Sequence, residues 1–190
     1  TISVGIEGEF GNLIQEFFNL KRNSLSEPDF QELGIELKCT GMKSTINGLT
    51  AKERLILQMI NYEELIHLSF EESILRKCSK ILIVFYQYEK NKPFYEWELI
   101  GYGFLNFEED LTIYYQQIKT DFEKKKKKVI NGLAHEISGK DTVYLEACPK
   151  GADSSVVRKQ PNSAILAKQR AFSLKNKLLT QIYLRFYFFI

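Results

Sequence analysis

A chain of 190 residues suffices for one domain with a sizeable core, and 44% apolar against 26% charged residues excludes a disordered segment. No uninterrupted apolar run reaches membrane-spanning length and no secretory leader is visible, while Thr1 in place of Met points to a native start further upstream. Net charge is only +2, yet acids outnumber bases over residues 1–38 and bases outnumber acids from Lys140 to Arg185, a polarity that suits a metal site facing a phosphate-binding surface.

In chain order, Phe10, Leu13, Ile14 and Phe17 recur at helical spacing and predict an amphipathic helix over 8–20. A polar loop with Pro28 leads to a strand over 34–40. Residues 41–52, with Gly41 and Gly48, read as a loop or hairpin tip. Segment 54–62 reads as a strand, with a helix also allowed, and 70–78 as a short helix. Segment 80–88 is the clearest strand, β-branched, aromatic and bounded by charge. Residues 95–106 form another, with Gly101 and Gly103 at a bulge or close approach. A long helix is expected over 109–137, supported by the acid-before-base pairs Asp121/Lys125 and Glu123/Lys127. The run Lys124–Lys128 covers the whole circumference of that helix, which favours solvated side chains over a phosphate patch. A strand over 142–147, a tight loop over 148–152 and a polar loop over 153–163 follow. The last part, 164–190, carries Arg170, Phe172 and Lys175 and then an amphipathic helix ending in aromatics. The pattern is α/β: a mixed sheet of roughly five strands flanked by helices, with Glu36 and Lys38 on an inner strand.

The residues with chemistry in them lie between 29 and 38. Along a strand successive side chains alternate faces, so Glu36 and Lys38 point one way while Ile35 and Leu37 point into a core. Pro28 favours a turn and Gly34 lets the chain bend, so Asp29 can fold back beside Glu36. Two carboxylates and an ammonium then share one spot. Carboxylate oxygens are the hard ligands Mg²⁺ prefers, and Lys38 is placed to position or deprotonate a water. Glu-x-Lys on an amphipathic strand is also the ordinary pattern of a solvated face. Two histidines, His67 and His135, exclude a histidine-rich metal site, and Cys39, Cys78 and Cys148 make neither a CxxC pair nor a zinc pattern, which fits a reducing cytoplasm.

With these residues in view, the sequence resembles the MutH/Sau-type endonucleases that act at GATC. The resemblance rests on Pro28-Asp29-Phe30 with Leu33-Gly34-Ile35-Glu36-Leu37-Lys38, on Ala51-Lys52-Glu53-Arg54-Leu55 and on Ile60-Asn61-Tyr62-Glu63. It continues at Gly132-Leu133-Ala134-His135-Glu136, Tyr144-Leu145 and Lys150-Gly151-Ala152. Its most specific stretch is Ala167-Lys168-Gln169-Arg170-Ala171-Phe172-Ser173-Leu174-Lys175. It implies a restriction-endonuclease-like fold: one MutH-like catalytic domain over 1–190, alone or as the N-terminal part of a longer two-domain enzyme.

Position by position, the resemblance implies Mg²⁺ on Asp29 and Glu36 with the Leu37 carbonyl, and Lys38 as the catalytic lysine. Lys77 matches a second lysine approaching the scissile phosphate. The Lys150-Gly151 loop would enter the major groove, while Arg170 and Lys175 would contact backbone phosphate or orient that loop. Cys148 stands where the repair branch has an arginine. Ser173 stands where that branch has a tyrosine linked to sensing methylation, which favours the restriction branch. The family glutamate of the first helix falls on Gln15, with Glu16 beside it and Gly11 in its expected place, and a basic residue of the family is replaced by Glu7. Either Glu16 serves in a shifted register, or Gln15 supplies a neutral ligand, or the domain is inactive. The implied activity is a Mg²⁺-dependent type II restriction endonuclease cutting duplex DNA at GATC to leave a 5′-phosphate. A DNA methyltransferase would be its companion, and a dimer or second fused domain would supply the second cut. The alternatives are a mismatch-repair nicking enzyme and a non-catalytic DNA-binding copy of the fold.

Overall fold

The computed structural model describes residues 6–20, 27–107, 109, 112–151, 153 and 155–187. The Glu7 side chain and Ala152, both noted above, lie outside the described residues. The chain divides into two compact units, each discontinuous in sequence: Thr1–Leu55 with Lys77–Asn106 and Asn176–Ile190, and Ile56–Arg76 with Phe107–Lys175.

The first unit is a four-stranded mixed sheet in the order β2-β1-β4-β5, made of β1 (Ile35–Thr45), β2 (Gly48–Ala51), β4 (Lys80–Gln87) and β5 (Leu99–Asn106). β1 runs parallel to β4, with Glu36 opposite Ile81 and Lys38 opposite Ile83, while β2 and β5 pair antiparallel. The inner position expected for Glu36 and Lys38 is therefore met. The segment 41–52 is a true hairpin, because β1 runs on to Thr45 and turns at 46–47. Helix α1 (Ile6–Phe17) puts Phe10 and Ile14 on Leu37, Val84, Tyr86 and Trp97, and Tyr86 stacks on Trp97 at 5.1 Å. Helix α5 (Asn176–Tyr187) sets Tyr183 edge-on to Phe85, and Thr180 Oγ1 accepts the Ala51 amide at 3.0 Å. Side-chain alternation puts Phe85 on the face opposite Val84 and Tyr86, so helices cover both faces.

The second unit holds a three-stranded sheet ordered β3-β9-β6, from β3 (Leu55–Met59), β6 (Leu145–Pro149) and β9 (Arg170–Leu174), and a ribbon of β7 (Val157–Gln160) and β8 (Ser163–Lys168). The strands thus fall into three sheets rather than one of about five. Segment 54–62 splits into β3 and α2 (Tyr62–Leu65), whose N-terminus is capped by Asn61 Oδ1 accepting the Glu63 amide at 3.1 Å. Glu71–Leu75 is a π-helical turn that continues as α3 (Arg76–Cys78). Phe122 packs between Phe70 and Phe172 at ring distances of 5.5 and 5.3 Å.

Two elements differ from the sequence reading. Helix α4 spans Thr112–Ile130 rather than reaching 137. Gly132 takes the left-handed region at φ 71°, the Leu133 amide turns back to the Lys128 carbonyl at 2.8 Å, and the helix stops. Residues 153–163, expected as a loop, contain β7 and the turn into β8.

Candidate active site

The site starts from one turn. Gln31–Leu33 form a short 3₁₀ turn closed by Gly34 in the left-handed region at φ 64°. The Phe30 amide donates to the Ile35 carbonyl at 2.9 Å and the Ile35 amide returns to Phe30 at 3.2 Å, an isolated antiparallel bridge. An antiparallel bridge between 30 and 35 sets 29 across from 36. The backbone alone therefore brings Asp29 beside Glu36. The Asp29 amide donates to Glu36 Oε2 at 3.2 Å, and the Leu37 amide donates to Asp29 Oδ2 at 3.1 Å.

Glu36 is 1% exposed, which removes the solvated-face reading. Its Oε1 accepts Lys38 Nζ at 2.6 Å, and Lys77 Nζ, arriving from α3, stands 3.4 Å from the same oxygen. Four sequence-predicted residues, Asp29, Glu36, Lys38 and Lys77, thus come together. Burial alone would lower the Lys38 ammonium, but attraction to Glu36, with smaller contributions from Cys78 and Asp29, outweighs it and raises its pKa.

Gln15 and Glu16 belong to α1, the helix laid on the Leu37 side of the sheet, whereas Glu36 projects from the other side. Gln15 is half-buried and Glu16 exposed. Among the described residues no group of three or more His, Cys, Asp or Glu side chains is gathered as a metal site. The donors that could hold a hard divalent cation are Asp29, Glu36 and the Leu37 carbonyl. Asp29 is fixed through Oδ2, and its Oδ1 receives no hydrogen bond among the described residues.

The residues assigned to DNA reading separate into two groups. Lys150 and Gly151 are exposed where β6 ends. The Lys150 amide donates to the Gln169 carbonyl at 2.9 Å and Gln169 Nε2 returns to the Lys150 carbonyl at 2.8 Å. A Cβ on Gly151 would lie 2.9 Å from Val156 Cβ, so this loop needs glycine. Arg170, Ser173 and Lys175 are held within the protein by burial or backbone contacts. Arg170 is buried with Nη1 on the Ala147 carbonyl at 2.8 Å, a contact that ties it to β6 ahead of the loop. Ser173 is fully buried, and its hydroxyl has no hydrogen-bond partner among the described residues. Lys175 Nζ donates to the Gly139 carbonyl at 2.7 Å and to the Thr142 carbonyl. Cys148 is buried and offers no groove contact.

The lysine run is solvated only in part: Lys124 and Lys127 are exposed, Lys126 and Lys128 half-buried and Lys125 buried. Lys125 is 0% exposed and its ammonium binds Asp141 and the Ser138 carbonyl, not Asp121. Lys126 reaches the Leu68 carbonyl at 2.8 Å.

The family model described as "DNA mismatch repair enzyme MutH" matches residues 18–121, more than half of the chain. The chain belongs to the MutH family. The type II restriction enzyme Sau3AI of Staphylococcus aureus is 42% identical over 174 residues, which is 90% of this chain and 35% of that enzyme. The DNA mismatch repair protein MutH of Vibrio cholerae is 27% identical over 188 residues, 95% of this chain and 81% of that protein. The chain therefore spans about a third of its Staphylococcus relative. Asp29, Glu36, Lys38 and Lys77 all fall inside the stretch matched by the MutH family model, whereas Gln15, Glu16 and the Lys150 loop fall outside it.

Sequence reasoning missed one neighbour of this MutH-family site. Cys78 is fully buried, and its electrostatic neighbours are Lys38, Glu36, Lys77 and Asp29. Burial pushes its thiol up to about 12, against the opposing pull of Lys38, and Cys39 is raised to about 12 in the same way. At pH 8 the thiolate fraction is then roughly 10⁻⁴, and the thiolate is the nucleophile. Cys39, Cys78 and Cys148 are all free. Iodoacetamide is expected to leave the folded protein unlabelled by intact-mass measurement and to label all three after unfolding. Labelling of Cys78 in the folded protein would contradict the burial of the site.

Proposed function

We propose that this chain is the catalytic unit of a Mg²⁺-dependent restriction endonuclease that hydrolyses duplex DNA at GATC, leaving a 5′-phosphate. The observation that carries this reading is Glu36, a buried carboxylate tied to Asp29 through the backbone and shared by Lys38 and Lys77. Asp29, Glu36 and the Leu37 carbonyl would hold the cation. When bound, it supplies Lewis-acid charge and lowers the pKa of a coordinated water. Lys38, kept as the ammonium by Glu36, would hold the attacking water in line, and Lys77 would meet charge developing on the phosphate. The Lys150-Gly151 loop reads base edges, with Arg170 and Lys175 fixing the strands around it. A cytoplasmic restriction system with a protecting methyltransferase follows from this reading, as does a second domain or second copy for the other strand.

Identity favours the restriction reading over strand nicking, at 42% against 27%. So does Ser173, which is sealed in the core and cannot report a methyl group in a groove. Incubation with Mg²⁺ and a GATC-containing plasmid, followed by end-mapping, tests the proposal. Linear fragments with 5′-phosphates at GATC support it. Nicks confined to the unmethylated strand of hemimethylated duplexes would establish the repair reading, and Mg²⁺-dependent DNA binding without cutting would establish a non-catalytic copy. Lys150→Ala is expected to lower the preference for GATC over altered sites by about 1–3 kcal/mol, roughly 5- to 150-fold, in competition cleavage. An unchanged preference would take Lys150 out of base reading.

A further inference from the structure

The β7–β8 ribbon is built as a rigid element, although its sequence reads as a polar loop. Its turn is anchored by Asn162, which sits at φ 58° and donates from Nδ2 to the Ile130 carbonyl at 2.8 Å, closing the end of α4. A Cβ on Gly132 would come within 2.5 Å of the Asn162 carbonyl, so the two segments are in close contact. Gln160 is buried, accepts the Ala134 amide at 2.7 Å and donates to the Ile165 carbonyl at 2.6 Å. The open end is fastened to the groove loop. The Gln169 amide donates to the Val156 carbonyl at 3.0 Å, and Gln169 is itself bonded twice to Lys150.

Charge on this ribbon is one-sided. After Asp153 the sequence contains no Asp or Glu, and Arg158, Lys159 and Lys168 are all exposed. The ladder shifts register between Arg158 and Gln160. Strict alternation would send Arg158 and Lys159 to opposite faces, but a bulge turns consecutive side chains toward one side. Both in fact line one cleft of about 560 Å³, with Asn61, Glu63 and Gln169.

We infer that the bulged ribbon is a second DNA-binding element, in which Arg158 and Lys159 grip the phosphate backbone beside the stretch read by the Lys150 loop. This rests on the DNA-cleaving reading above. A four-residue strand spans about 13 Å at ~3.3 Å per residue, and duplex DNA presents about one negative charge per 1.7 Å of axis, so two cations here meet two phosphates. Such contacts position the duplex without reading its sequence. Glu63 is the one carboxylate among the residues lining the cleft, and it opposes a phosphate there.

The test is duplex binding by the full chain in Ca²⁺, across a salt series, on a GATC oligonucleotide and a scrambled one. Arg158→Ala/Lys159→Ala is expected to weaken both duplexes alike, roughly tenfold, and to lower the salt slope by about 1.8. Glu63→Gln is expected to tighten binding to both. Lys150→Ala, by contrast, lowers the ratio between the two duplexes. Because Arg158, Lys159 and Glu63 are exposed, an unchanged melting temperature serves as the folding control. A slope and affinity equal to the parent in the double variant, with Lys150→Ala still effective, overturns the inference and leaves the function standing. Failure of the unsubstituted chain to bind either duplex overturns both.

Discussion

Asp29→Asn and Glu36→Gln are each expected to abolish plasmid cutting, by at least ~10³-fold, yet to differ in their effect on the fold. The size follows from losing several kcal/mol of charge stabilisation at 1.36 kcal/mol per tenfold. Asp29 is half-buried and its structural role is one bond, from the Leu37 amide to Oδ2. Asparagine keeps an oxygen for that bond, so the melting temperature should hold within about 2 °C. Glu36 is different. It is 1% exposed and faces two ammonium groups at 2.6 and 3.4 Å. Neutralising it removes the carboxylate that Lys38 and Lys77 share and leaves the more distant Asp29 charge near Lys38. Breaking a buried pair costs about 3–5 kcal/mol. Lys38 and Lys77 keep 21% and 18% exposure, so water offsets part of that, and a loss near 3 kcal/mol is expected. For a chain of this size that is a fall of about 6–12 °C in Tm, read by scanning calorimetry. Undiminished cutting by Asp29→Asn would remove Asp29 from the site. A Glu36→Gln protein as stable as the parent would show that Lys38 and Lys77 find other partners.

How far the sequence showed this site depends on the range of the interactions. Asp29, Glu36 and Lys38 were legible because a proline, a glycine and a period-two strand act within ten residues. Lys77 sits 41 positions beyond Glu36 in sequence and came only from family resemblance. The helix is where its charge pattern put it, but Asp121 and Lys125 do not pair, for a physical reason. An acid four residues before a lysine predicts a surface pair only if the helix face is solvated. Here that face is buried, so Asp121 turns to backbone amides and Lys125 to Asp141. β9 hid its nature likewise. Every residue from Arg170 to Leu174 is buried, and a central strand covered on both faces looks, from charge alone, like a phosphate-binding stretch. The β7–β8 ribbon escaped notice because polar side chains, Gln160 and Asn162, do what apolar ones do elsewhere.

Asp121→Ala is expected to be among the most destabilising single changes outside the cluster of Asp29, Glu36, Lys38 and Lys77, although the residue sits on a helix and touches none of these four. Its carboxylate is 0% exposed. It accepts the Val143 amide at 3.0 Å, the Tyr144 amide at 2.6 Å, the Leu145 amide at 2.9 Å and Gln117 Nε2 at 2.9 Å. Alanine leaves these donors without an acceptor, at about 1–3 kcal/mol for each one that stays buried. Water reaching Val143, which is exposed, limits the sum, so a loss of about 3–5 kcal/mol and a Tm lower by roughly 10 °C are expected. Asp121→Asn retains one oxygen and should fall between the two. The consequence for function runs through β6. The three amides are the last before that strand and its first residue, and the same strand ends at Pro149, next to Lys150. With its start released, β6 is held by β9 alone, and hydrogen exchange at 143–145 should accelerate before that at 170–174. Cleavage specificity should then loosen at temperatures below the melting transition, as the Lys150 loop loses its fixed register. If Asp121→Ala melts within 2 °C of the parent, the clamp is not what holds this strand, and the burial of Lys125 beside Asp141 becomes the element to test in its place.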